Sequence, residues 1–152
     1  MSQKVSEEII RHVKILLDSY FSATGKQLID RKSQVADAVT LEEGEFVIVS
    51  HGTEQDPVLN YGNKTALQLW GMDWKQFVST PSRYTAEPIR RELRELMLNE
   101  AKIKGYFDNY EGVRIASSGN RFEIKGALIW NLVDENKTVV GQAATFSEWF
   151  FL

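Results

Sequence analysis

The chain predicts an α+β fold: a five-stranded antiparallel sheet with short helices on one face and an amphipathic helix at the N-terminus. Three observations carry this. Between Ser6 and Thr24 the apolar residues recur at helical spacing. Beyond Gly105 the period changes from helical to alternating and stays alternating to the end. Between these regions, strand and turn signals are packed tightly with short helical runs, too short for a second layer of long helices.

Taken in order, Ile9, Ile10, Val13, Leu16, Leu17, Tyr20 and Phe21 form one apolar stripe. Ser6 is placed to cap its start, Glu7 and Glu8 put negative charge in the first turn, and Gly25 supplies a left-handed stop. The connector "KQLIDRKSQVADAVTLEEGE" lacks a regular period and is left open, with room for a short helix. "FVIVSHG" is rich in β-branched residues and ends at Gly52, as a buried strand does, and a second short strand covers Val58 to Tyr61. Gly62 allows a sharp bend, Asn63 can cap, and "KTALQLWG" is a two-turn helix stopped at Gly71. A further short helix starts at Asp73. Pro88 fits the first turn of a longer helix carrying Ile89, Leu93, Leu96, Met97 and Ile103. "YFDNYEGVRIA", "RFEIKGALIWNLV" and "TVVGQAATFSEW" are three strands joined by the turns "SSGN" and "DENK". In the middle strand, alternation puts Phe122, Ile124, Gly126, Leu128, Trp130 and Leu132 on one face.

Composition narrows the function. A chain of 152 residues with 43% hydrophobic and 26% charged residues suits one globular domain. Its 18 basic residues are outnumbered by 21 acidic ones, for a net charge of -3, which argues against nucleic acid as a partner. With no cysteine, disulfides, thiolate catalysis, cysteine-based zinc sites and any covalent cysteine–flavin chemistry are excluded. The N-terminal "MSQKVSEEIIRH" lacks the apolar core of a signal peptide, and no apolar run approaches the ~20 residues needed to span a bilayer. A cytoplasmic location without membrane attachment is the expectation.

The stretch "NYGNKTALQLWGM" places Asn63, Ala66, Leu69, Trp70 and Gly71 as the PAS fold does where its second strand turns into a small helix. The wording of "SHGTEQDPVLNYGNKTALQLWGMDW", "PSRYTAEP", "GVRIASSGNRF" and "GQAATFS" more closely resembles the MEKHLA-domain proteins, a PAS-like family of bacteria, algae and plants. The similarity extends from about Tyr20 onward. It implies a PAS-like domain over residues 41–152, preceded by a helix and connector over 1–40. It also implies a sensory or interaction module, without an assigned cofactor or ligand. In plants the related domain follows a homeodomain and leucine zipper; these 152 residues hold neither, so DNA binding is not implied. Haem-binding PAS domains place a histidine on the long helix, and "PIRRELRELMLNEAKIKG" contains none.

A PAS-like cup implies a small-molecule site between sheet and helices. The candidate lining is Trp70, Trp74 and Phe77 from the helices, Leu128 and Trp130 from the middle strand, and Gln142 from the last. Simple core packing is the alternative. Arg83 and Tyr84, in a loop pinned between prolines, are candidates to clamp a carboxylate or phosphate, and Arg114 is a weaker one. For these arginines the alternative is an ordinary ion pair with Glu87, Glu111 or Glu123. His51, near Glu54 and Asp56, is the only local grouping suited to acid–base chemistry, and a small enzyme using His51 and Asp56 is the second function class. The expected function is a non-enzymatic module that binds a small molecule or protein partner and signals through association. Homodimerisation would run through the N-terminal helix or the outer sheet face.

Overall fold

In the computed structural model, which describes residues 5–89 and 91–152 (Arg91 by its backbone alone), the first helix, α1, spans Glu7–Thr24. Both of its ends follow the caps. The Ser6 hydroxyl accepts from the Ile9 amide at 3.2 Å, and Gly25, at φ 74°, donates its amide to the Phe21 carbonyl. The open connector contains a second helix, α2, Gln34–Glu42, capped by Ser33.

The strands are β1 (Val47–His51), β2 (Leu59–Gly62), β3 (Tyr106–Ile115), β4 (Arg121–Val133), β5 (Val139–Phe146) and β6 (Glu148–Phe151). They form one antiparallel sheet in the order β2-β1-β5-β4-β3, with β6 also paired to β4. The sixth strand arises because the last predicted strand bends at Ser147 and resumes along β4, setting Trp149 opposite Ile124. Between β2 and β3 lie α3 (Lys64–Trp70), α4 (Trp74–Phe77), a single 3-10 turn (Ser82–Thr85) and α5 (Arg91–Lys104). Pro88 precedes the described part of α5, in the non-helical segment 86–89, not in its first turn.

β4 departs from simple alternation. Phe122 and Ile124 face the short helices, but so do Ala127 and Ile129, whereas Leu128, Trp130 and Leu132 face the opposite way. Gly126, at φ 64°, inserts the extra residue: Tyr110 pairs with Ala127 while Gly112 pairs with Ile124. This bulge swaps the two faces halfway along the strand.

The sheet is consequently covered on both sides. Its inner face carries Val47, Leu59, Phe122, Ile124, Ile129 and Phe146 against Trp70 and Phe77. The outer face carries Ile48, Tyr61, Trp130 and Leu132 against Val13, Leu16 and Leu17 of α1 and Ala38 and Leu41 of α2. The Trp130 indole donates to the Leu16 carbonyl at 3.2 Å, and Tyr20 meets its ring edge-on at 5.0 Å. The apolar stripe of α1 is thus packed within the chain, except for Phe21, which is exposed. A polar seam joins the same layers: His12 Nε2 lies 2.8 Å from the Ser50 hydroxyl, which donates to Asn60 Oδ1 at 2.5 Å, and the imidazole sits 5.7 Å from the Tyr61 ring.

Asn63 ties these parts together. Its side-chain oxygen accepts from the amides of Ala66 at 3.2 Å and Ile48 at 3.3 Å, and its amide donates to the carbonyls of Leu41 at 3.0 Å and Phe46 at 2.8 Å. It is fully buried. Replacing it with alanine orphans backbone groups in α3, β1, α2 and the intervening turn at once. Asn63→Ala is expected to cost about 2–4 kcal/mol, measured as a fall in urea stability at constant m-value.

Burial holds the His12 imidazole at about 4, below its ordinary 6.5, because the seam under α1 disfavours the charged ring. The unfolded chain therefore takes up a proton first as pH falls. Stability is expected to be complete above pH 6.5 and to decline toward pH 4, by up to about 1.4 kcal/mol per pH unit. Urea midpoints of the wild type and His12→Gln across this range check it: the variant's curve stays flat until carboxylates begin to titrate, near about pH 5.

Candidate functional site

Between the inner sheet face, α3, α4 and the segment leading into α5 lies a cavity of about 390 Å³. That is within the range of small-molecule sites, roughly 300–1,000 Å³. Val49, Ile129, Ala144 and Phe146 form its floor, Trp70 and Phe77 one wall, and Arg94 and Met97 of α5 the other.

The aromatic wall is fixed from both ends of α3. Asn63 holds the first turn, and at the far end the Ser117 amide donates to the Trp70 carbonyl at 2.8 Å while its hydroxyl donates to the Gly71 carbonyl at 2.7 Å. The Trp70 indole donates to the Thr85 carbonyl at 3.3 Å, so its ring cannot turn out of the wall. Phe77, Phe122 and Phe146 meet that ring edge-on at 6.1, 5.3 and 6.3 Å. Phe77 reaches this position because residue 62 is glycine: a Cβ there would lie 2.6 Å from the Phe77 ring.

Polar groups enter from the sheet. His51 and Gln142 are register partners on β1 and β5, both at the cavity. The His51 Nδ1 lies 2.9 Å from the Gly52 carbonyl, so Nδ1 carries the proton and a neutral ring leaves Nε2 as an acceptor. The Gln142 amide donates to Asn131 Oδ1 at 3.4 Å. Arg114, opposite Phe122 on β3, projects from the inner face with its guanidinium carbon 5.3 Å from the centre of the Tyr110 ring. Burial pushes this guanidinium below its ordinary value, and Tyr110 beside it partly offsets the effect.

Of the sequence-derived candidates, Trp70, Phe77, Arg83 and Gln142 line the cavity. Trp130 and Leu128 do not, because the Gly126 bulge turns them to the outer face beneath α1. Trp74 stands at the sheet edge, edge-on to Tyr61 at 6.0 Å. Tyr84 is exposed, with the Arg83 guanidinium 4.2 Å above its ring. Arg83 itself is committed: its Nε lies 3.1 Å from both oxygens of Asp56, not of Glu87, Glu111 or Glu123. That bond engages the Asp56 carboxylate, and among the described residues no hydrogen bond or ion pair joins it to His51. Ile129, Phe146, Arg94 and Met97 line the cavity without having been singled out in the sequence. Only the i,i+3 spacing of Arg94 and Met97 hinted that they share a helix face.

The MEKHLA domain model matches residues 10–151. The chain belongs to the MEKHLA domain family. No curated protein is similar enough to add a relative. Solved structures share the architecture of this MEKHLA chain. A PAS domain from Colwellia psychrerythraea superposes with a TM-score of 0.62 at 17% identity, covering 77% of this chain and 94% of that one. The light-state dimer of the fungal blue-light photoreceptor Vivid gives 0.57 at 12% identity, covering 87% and 90%. A light-oxygen-voltage domain described with a flavin analogue gives 0.56 at 14% identity, covering 77% and 84%. The MEKHLA chain therefore has the fold of the PAS and light-oxygen-voltage sensory domains. Among the described residues, no helix is long and apolar enough to cross a membrane.

The Arg83–Asp56 fork lies on the surface, with both side chains more than half exposed, at 60% and 51%. Water screens such a pair, so Asp56→Asn is expected to lower the thermal midpoint by less than about 4 °C with unchanged circular dichroism.

Proposed function

We propose that this MEKHLA domain is a sensory module that binds a small molecule in the inner cavity and signals through association with a second copy or another protein. The cavity of about 390 Å³ carries the reading, because it lies where the sheet and short helices of a PAS-like cup meet and combines an aromatic wall with a few polar groups. The flavin analogue of the light-oxygen-voltage neighbour and the dimer of Vivid support ligand binding and association as properties of this architecture.

The layout also supplies a way to report occupancy. On β1, His51 faces the cavity, while the preceding residue, Ser50, holds His12 of α1 through its hydroxyl at 2.8 Å. Neighbouring residues of a strand point to opposite faces, so a shift of β1 caused by a ligand is passed to α1 on the other side. Apart from Phe21, the stripe of α1 is consumed inside the chain. Association would use the apolar side chains that α1 and α2 leave exposed: Phe21, Val35 and Val39.

Native mass spectrometry of the purified protein, followed by denaturing spectra of the same sample, tests both parts. The expected result is a dimer at twice 17.4 kDa carrying a small species that is lost on denaturation. A bare monomer that stays bare after incubation with cell extract, and stays monomeric at high concentration, would sink the proposal.

A further inference from the structure

We propose that the molecule this cavity accepts is an amphipathic anion, with an apolar body and a carboxylate or phosphate group anchored by Arg114 and a second cation, Arg94. This rests on the cavity reading above and names the chemical class of its ligand.

The starting point is how the chain uses its arginines. Arg11 pairs with Glu135, Arg31 with Asp18 and Asp37, Arg83 with Asp56, and Arg121 with Glu87. Among the described residues, Arg94 and Arg114 have no such partner, and both line the cavity. Glu87 also borders it, but its carboxylate is held by Arg121 at 2.7 Å. A chain with a net charge of -3 thus leaves its cavity with uncompensated positive charge.

Arg114 is the more telling of the two. It stands on the inner face of β3, opposite Phe122, where the neighbouring inward positions are apolar or aromatic. Its charge-stabilising neighbour is Tyr110, whose ring centre lies 5.3 Å from the guanidinium carbon. Half-burying a guanidinium without a carboxylate costs solvation that a methionine or leucine of similar size would not. A ligand anion supplies the missing counter-charge. The planar donor fork of arginine suits a carboxylate or phosphate in particular. Trp70, Phe77, Ile129 and Phe146 supply the apolar surface for the body of such a molecule. A cationic ligand would meet repulsion from both arginines.

The test is a displacement titration with the neutral dye Nile red, whose binding reports the cavity itself. Octanoate and octyl phosphate are compared with octanol, which has the same apolar tail without the charge. In the wild type the anions are expected to displace the dye at concentrations at least about tenfold below octanol. Arg114→Met should keep dye binding, lose the preference and melt at the same or a higher temperature, since it removes an unpaired charge. Arg114→Lys should retain most of the preference, and Arg94→Gln should reduce it. Whether octanoate or octyl phosphate is the stronger competitor distinguishes a carboxylate from a phosphate, and either supports the proposal. Dye binding with equal displacement by octanol and both anions would overturn it while leaving the cavity reading intact. Absence of dye binding would remove both. An Arg114→Met variant that melts lower and keeps the anion preference would make Arg114 part of the framework and overturn its role as anchor.

Discussion

The side chain of Asn63 is the constraint on which the other parts depend. An amide offers two donor hydrogens and an acceptor oxygen, and all of that capacity is spent on backbone: the first turn of α3, the start of β1, the end of α2 and the residue before β1. Three elements that are distant in sequence are brought to one buried point. Placing the start of α3 also places its end, only two turns on, and with it the Trp70 ring that walls the cavity. Aspartate would lose both donors, and serine would be too short to reach all four groups.

The second constraint is that the sheet is buried on both faces. A sheet covered on one side reads as clean alternation, whereas a central strand covered on both sides is apolar at nearly every position. β4 runs through both regimes. From Ala127 to Leu132 only Asn131 breaks the apolar run, and Gly126 reverses the faces at the point where the run begins. One left-handed glycine thus lets a single strand contribute Phe122 and Ile124 to the cup and Trp130 and Leu132 to the bed of α1.

This explains what could be read in the sequence. The caps of α1 and α3, the strands and the short helices on the inner face follow from local chemistry, and Ser6, Gly25, Asn63 and Gly71 act where their side chains or backbone freedom predict. Trp70 and Phe77 were legible as cavity residues because the short helix fixes their direction. Trp130 was not, because a glycine carries no side chain to mark a change of phase, and Ile129 was hidden by the same silence. The partner of Arg83 was equally invisible. Asp56 lies 27 residues away, and nothing local distinguishes it from the nearer carboxylates.

The distribution of charge then separates framework from site. Salt bridges on this chain are mostly exposed pairs that fix a loop or a helix end at little energetic cost, such as Arg11 with Glu135. Arg31 with the buried carboxylate of Asp37 is a tighter join between α2 and the connector before it. Arg114 fits neither pattern: among the described residues it has no carboxylate partner, and burial opposes its charge. Stability alone would favour an apolar residue at that inward position, beside Phe122 and Ile124. Keeping a guanidinium there leaves the empty cup less stable than it could be and makes an anion the species best able to recover the difference. The same feature that weakens the unliganded domain is therefore the one that would couple occupancy to the stability of β3 and of the sheet behind it.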